Sequence, residues 1–136
     1  MRKAAIEDIR ICDFTIQLAG AGSTRWLAAF GAEVVLVDDM SLGFPTMEKI
    51  ASEENRSIIH PFEGIRTMQG TATLGLEIAE SVAELDTVIV AVGGGGLISG
   101  VGSAVKAVQP SVRVIGVEPV GAAGMSESLK LGKPLE

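Results

Sequence analysis

Tyrosine is absent from the 136 residues, and other aromatics are few: four Phe and one Trp. A core without large rings has to be filled by Val, Ile, Leu and Ala. The single cysteine, Cys12, excludes a disulfide framework. Within its apolar, strand-like run it reads as a small buried hydrophobe. The single histidine, His60, has no second histidine or cysteine beside it. No metal site is therefore expected, and His60 reads as a neutral strand-end imidazole bonded to backbone. An excess of positive charge is also missing. Lys and Arg total 11 against 17 Asp and Glu, a net charge of −6, and no basic patch is visible for nucleic acid. No apolar run reaches the ~18–20 residues needed to span a bilayer, and there is no signal peptide, so a cytoplasmic protein without a membrane partner is expected.

What is present is a globular composition, 47% hydrophobic and 21% charged. It is read as a single α/β domain over residues 1–136. The organising stretch runs from Asp86 to Gly100: an apolar run, Val88 to Val92, then Gly93, Gly94, Gly95 and Gly96, then an apolar helix from Leu97 to about Val108. A strand that is β-branched on both faces calls for burial on both faces, as in a parallel sheet covered by helices. Strands are expected at 9–15, 33–37, 56–60, 88–92 and 112–117. Helices are expected at 25–30, 46–55, from 67 or 69 to 85, 97–108 and 125–131. The third helix is expected to turn Leu74, Ile78 and Val82 inward. Strands alternating with helices argue a single open, mainly parallel five-stranded sheet, Rossmann-like or flavodoxin-like, with helices on both faces. Strand orders 2-1-3-4-5 and 3-2-1-4-5 both fit.

Four consecutive glycines exceed what a plain turn needs. Without Cβ atoms the backbone can approach a bound group closely, and the following helix presents unpaired N–H groups and the positive end of its dipole. Gly93, Gly94, Gly95, Gly96 and Leu97 are therefore the candidate phosphate cradle. Gly20 and Gly22, with Asp38 or Asp39 after the second strand, give a partial dinucleotide-binding fingerprint, but Arg25 occupies the place of the third glycine. A helix-capping turn is the preferred reading there. Asp13 reads as a solvated edge residue in preference to a site carboxylate, and Trp26, with Leu27 and Phe30, as helix core. Glu48, Glu53 and Glu54 read as a solvated helix face.

From about Gly31 onward the chain resembles the fold-type II pyridoxal-phosphate-dependent threonine dehydratase and serine racemase family. The residues that carry this are Gly31-Ala-Glu-Val-Val-Leu-Val, His60-Pro-Phe-Glu, Gln69-Gly-Thr-Ala-Thr-Leu-Gly-Leu-Glu, Val92-Gly-Gly-Gly-Gly-Leu, and Val117-Glu-Pro with Met125 to Pro134. The resemblance implies that Gly93 to Gly96 hold the phosphate of pyridoxal phosphate. It also implies a Schiff-base lysine in a Ser-x-Lys-x-Arg-like motif and a Ser-x-Gly-Asn substrate loop, neither of which is in this chain. The five lysines, Lys3, Lys49, Lys106, Lys130 and Lys133, all lie in other contexts. A cation site known in some members would match Glu118 and the Ala122 carbonyl, but Gly124 stands where a third, acidic ligand is expected. Residues 6–39, by contrast, look like the amino terminus of family III CoA-transferases, in Ile6-Glu-Asp-Ile-Arg-Ile-Cys-Asp-Phe-Thr and Leu18-Ala-Gly-Ala-Gly-Ser-Thr-Arg-Trp-Leu-Ala-Ala-Phe-Gly-Ala-Glu-Val.

These readings add up to a chimera joined near Gly31: a folded recombinant α/β protein, not an enzyme, with no catalytic residues and no required cofactor. Its glycine loop would bind phosphate, sulfate or pyridoxal phosphate weakly. The alternative is a weak pyridoxal-phosphate- or nucleotide-binding protein related to the amino-acid lyases and isomerases of the resembled family. Apolar surface left uncovered predicts a homo-oligomer, a dimer or a domain-swapped form.

Overall fold

The computed structural model describes residues 9–13 and 18–135. The chain divides into two compact units, Met1–Ile58 and Ile59–Glu136.

In the first unit, β1 (Arg10–Asp13) pairs in parallel with β2 (Glu33–Leu36), Arg10 opposite Glu33 and Asp13 opposite Leu36. The crossover is α1 (Leu18–Ala29). Gly20 and Gly22, expected in a capping turn, lie inside this helix, so the partial dinucleotide fingerprint has no loop to act from. Trp26 is 72% exposed and does not join a core in this unit, against the expectation for it. The side chains of Cys12 and Asp13 lie outside the described residues. Helix α2 (Gly43–Glu53) starts three residues before the expected Thr46. Pro45 sits in its first turn, where a missing N–H costs nothing because that donor has no partner in the helix anyway.

The expected five-stranded sheet is not what forms. The described residues make two separate two-stranded parallel sheets, one in each unit. The missing strand is Arg56–His60, which takes no regular structure. Asn55 leaves α2 with a positive φ of 50°, Pro61 ends the segment, and no described strand pairs with it. A short apolar run without a ladder partner cannot satisfy its backbone as a strand.

In the second unit, α3 (Ile65–Ser81) leads to β3 (Thr87–Ala91), α4 (Gly96–Val108) and β4 (Arg113–Val117). The strands pair in parallel, Thr87 opposite Arg113 and Ala91 opposite Val117. The Val92 N–H extends the ladder by donating to the Val117 carbonyl at 2.9 Å. One face of this ribbon is core: Val88 and Val90 pack with Val101, Val105 and Val112, and Ile78, Leu85, Ile98 and Val114 close around them. The other face carries Ile89, 69% exposed, and Val117, 51% exposed. Helices cover one face only within this unit, which corrects the expectation of burial on both.

Helix α3 meets the expectation at Ile78, which packs against the core, but not at the other two expected positions. Leu74 and Val82 are exposed, while Gly75 and Ala79 are buried. The reason is close approach to α4: a Cβ on Gly75 would lie 2.6 Å from the Val101 carbonyl oxygen and 2.8 Å from the Ala104 Cβ. Small residues, not the largest apolar ones, make this contact. The Gln109 amide then ties the far ends of the two helices, donating to the carbonyls of Ala79 at 2.8 Å and Val82 at 3.1 Å. The last helix, α5 (Gly124–Leu131), ends at Gly132 in the left-handed conformation.

Candidate functional site

The glycine loop sits between the carboxyl end of β3 and the first turn of α4. Gly95 is the residue before the helix and takes φ +89°, ψ −10°, a left-handed conformation that costs other residues about 1–2 kcal/mol. Its carbonyl accepts from the Ser99 N–H at 3.0 Å and the Ser99 hydroxyl at 2.7 Å, which closes the first turn. Ahead of that turn, the N–H groups of Gly93, Gly94, Gly95, Gly96, Leu97 and Ile98 donate to no described residue. Unpaired donors at the positive end of a 13-residue helix form a natural anion site.

The glycines are not equivalent. A Cβ on Gly94 would come 2.3 Å from the Phe62 Cγ, and one on Gly96 would come 2.7 Å from the Phe62 Cα. A Cβ on Gly95 would lie 2.7 Å from the Met125 Cε. Gly93 faces open space. The loop is thus backed by Phe62 and open at Gly93, which is the arrangement a phosphate needs for close approach to backbone. The donor set is neutral N–H throughout, which fits a phosphate ester.

A cavity of about 670 Å³ adjoins this loop. Gly93, Gly94, Phe62 and Glu63 line it together with Gly124, Met125, Ser128, Leu129 and residues 132–135. Its size matches an ordinary small-molecule site. Of the lysines, Lys133 lines this cavity. Lys106 donates to the Pro110 carbonyl at 3.1 Å, and Lys130 pairs with Glu127 at 2.7 Å. Lys3 lies outside the described residues.

Glu118, the residue set beside a cation site by resemblance, is occupied otherwise. It accepts the N–H groups of Met125 at 2.7 Å and Ser126 at 2.8 Å, and the Ser126 hydroxyl at 2.6 Å. The Ser126 hydroxyl is the main cause holding its carboxyl below the usual glutamate range; desolvation opposes this, and the two N–H groups add to it. Among the described residues no cluster of three His, Cys, Asp or Glu side chains could hold a metal ion.

Residue 60 behaves as an acceptor of backbone, as its sequence context suggests. The His60 Nδ1 accepts the Glu63 N–H at 3.0 Å. Phe62 and Thr71, which the structure brings to the loop, were visible beforehand only as parts of resemblance motifs. No local pattern marks them, because their contacts span 25 to 34 positions.

The sequence matches the family model of pyridoxal-phosphate dependent enzymes over residues 15–136. The chain belongs to this family. It is 51% identical over 121 residues to the phenylserine dehydratase of Ralstonia pickettii, covering 89% of this chain and 37% of that protein. It is 40% identical over 105 residues to a serine racemase of Oryza sativa, covering 76% and 31%. Among solved structures, the processed form of threonine deaminase isoform 2 from Solanum lycopersicum superposes with a TM-score of 0.77 at 30% identity, over 94% of this chain and 36% of that one. The chain thus spans about a third of the length of these relatives.

These findings overturn three expectations. A recombinant without catalytic activity is replaced by membership of an enzyme family, since the relatives are named as dehydratase and racemase enzymes. The expectation that the chain is no enzyme falls with it. A cofactor, expected to be dispensable, is what defines the family: its members depend on pyridoxal phosphate. The family match begins at residue 15, well upstream of the supposed junction at Gly31, and a CoA-transferase origin for residues 6–39 is not shown. The mixed α/β fold of this family stands, without the single five-stranded sheet. Among the described residues, no helix is long and apolar enough to cross a membrane.

Proposed function

We propose that this chain forms the phosphate-holding part of a pyridoxal-phosphate-dependent lyase or isomerase acting on β-hydroxy-α-amino acids. Gly93, Gly94, Gly95, Gly96 and Leu97 form the cradle. The observation that carries the reading is the row of N–H groups from Gly93 to Ile98 at the head of α4 that donate to no described residue, open at Gly93 and bounded by Phe62 at Gly94 and Gly96. The substrate class follows from the relatives' names, because serine, threonine and phenylserine all carry a hydroxyl on the β-carbon.

When bound, pyridoxal phosphate supplies an electron sink that makes the proton on an amino acid's α-carbon removable. What this chain contributes is binding and orientation. The N–H groups hold the phosphate without adding a charged side chain, and the α4 dipole favours its negative charge. Phe62 and Met125 stand against the loop at Gly94, Gly95 and Gly96 and limit how far it can shift. The motif with the Schiff-base lysine is not among the 136 residues, so the proposal for these residues is the cradle. We propose as well that the chain self-associates as a homodimer through apolar surface.

Titration with pyridoxal phosphate and, separately, with pyridoxal tests the cradle. The amide resonances of residues 93–98 are expected to shift with the phosphate ester and stay still with pyridoxal. If the phosphate ester moves none of them, the reading fails.

A further inference from the structure

We propose that His60 is a positioning residue for this cradle, holding through its Nδ1 the turn that presses Phe62 onto the glycine loop. The inference rests on the reading of that loop as a phosphate site.

Four glycines in a row lose more conformational freedom on ordering than any other four residues. A loop of this kind binds an anion well only if something orders it beforehand. The structure supplies that something from the segment before α3. The His60 Nδ1 accepts the Glu63 N–H at 3.0 Å and lies 3.4 Å from the Phe62 nitrogen. An accepting Nδ1 places the ring proton on Nε2, the neutral tautomer. That Nε2 lies 4.0 Å from the Glu63 carboxylate. The imidazole also meets the Phe62 ring edge to face, with centroids 4.6 Å apart at 85°.

Phe62, fixed this way, touches the second and fourth glycines so closely that neither position admits a Cβ. Both ends of the arrangement hang from one face of α3. The Thr67 hydroxyl donates to the His60 carbonyl. One helical turn later, the Thr71 hydroxyl reaches the Gly96 carbonyl at 2.9 Å. The spacing of four residues sets the His60 turn and the last glycine in register on a rigid element. His60 is the member of this set that shapes the turn itself; it does not contact the anion.

Sulfate titration of the whole chain, followed at the amides of residues 93–98, tests the inference, since sulfate keeps its double charge across neutral pH. His60→Ala is expected to weaken sulfate about tenfold, the effect of one lost hydrogen bond on loop order. His60→Asn, which keeps an acceptor oxygen near the place of Nδ1, is expected to restore most of the affinity. Parent-like sulfate binding in His60→Ala overturns the positioning role and leaves the cradle intact. An Asn variant as weak as the Ala variant overturns the acceptor role in particular. Failure of the unaltered chain to shift these amides with sulfate sinks the cradle reading itself, and this inference with it. Should His60→Ala not melt cooperatively, Phe62→Leu carries the test: weakened sulfate binding is expected, and unchanged binding refutes the inference.

Discussion

Glu118 shows what a single carboxylate does when a helix starts against it. Three donors from the first turn of α5 converge on its two oxygens. A charged acceptor at the positive end of a helix is favoured both by the dipole and by the unpaired N–H groups there. Its carboxyl is held below the ordinary range, first of all by the Ser126 hydroxyl. The folded-state value is therefore below the unfolded one. The stability this contributes is complete above the unfolded value, ~4.3 for a glutamate, and is lost as pH falls through the folded value. Glu118→Gln keeps the shape and removes the titration. Its melting temperature is expected to lie below the parent's at neutral pH, and the two curves to converge in acid. A gap that stays constant across that range, measured by thermal melts in matched buffers, rejects the cap as a charged one. Asp39 and Asp86 are held low as well, by Ser41 and by Thr87 with Arg113, so the comparison of variant with parent is what isolates Glu118.

The contact of α3 with α4 decides where the loop stands, and it is made of glycine. A Cβ on Gly100 would meet the Thr71 hydroxyl at 2.0 Å, the Met68 carbonyl at 2.5 Å and the Ala72 nitrogen at 2.7 Å. Helix propensity alone favours alanine over glycine by about 1 kcal/mol. At Gly70, also in α3 and with nothing within 4 Å, that preference acts unopposed. Gly70→Ala is expected to stabilise the fold by about 0.5–1 kcal/mol. At Gly100 the Cβ meets backbone, which cannot swing aside, and overpacking of about 1–3 kcal/mol outweighs the propensity gain. Urea unfolding of the two variants should give opposite signs; a shared sign rejects the close-packed interface. This contact also marks the limit of what was legible in the amino-acid order. The apolar run, the glycines and the helix from Leu97 were readable because each has a local signature. The inward face of α3 was legible only at Ile78, since hydrophobic periodicity weights Leu74 and Val82 by size, whereas close backbone approach selects Gly75 and Ala79. The segment 56–60 looks like a strand in isolation because Ile58 and Ile59 are β-branched, yet a strand exists only with a partner. Phe62 is invisible as a site residue for a similar reason: its role appears only when positions 32 and 34 residues away are folded against it.

At the scale of the whole chain, the β3–β4 ribbon leaves one apolar face outward in its own unit. In the register observed, Ile89 stands opposite Ile115 and Ala91 opposite Val117, all on this face. None of the four carries a charge, and Ile89 is among the most exposed large apolar residues of the unit. Parallel strands of this composition are normally covered on both sides. Arg113, opposite Thr87, borders this face at one end; the apolar stretch beyond it lowers its free energy by meeting another like it, and a two-fold pairing lets one patch cover its own copy. The weight-average mass in sedimentation is therefore expected to rise from monomer toward dimer with concentration. Ile89→Lys places a charge in the middle of the patch while leaving Val88 and Val90, on the core side, untouched. It is expected to hold the chain monomeric over the same concentrations with an unchanged melting temperature. A parent chain that stays monomeric throughout rejects self-association. A dimer that persists in the Ile89→Lys variant moves the interface away from this ribbon, because a buried unpaired ammonium at its centre would cost more than the apolar contact returns.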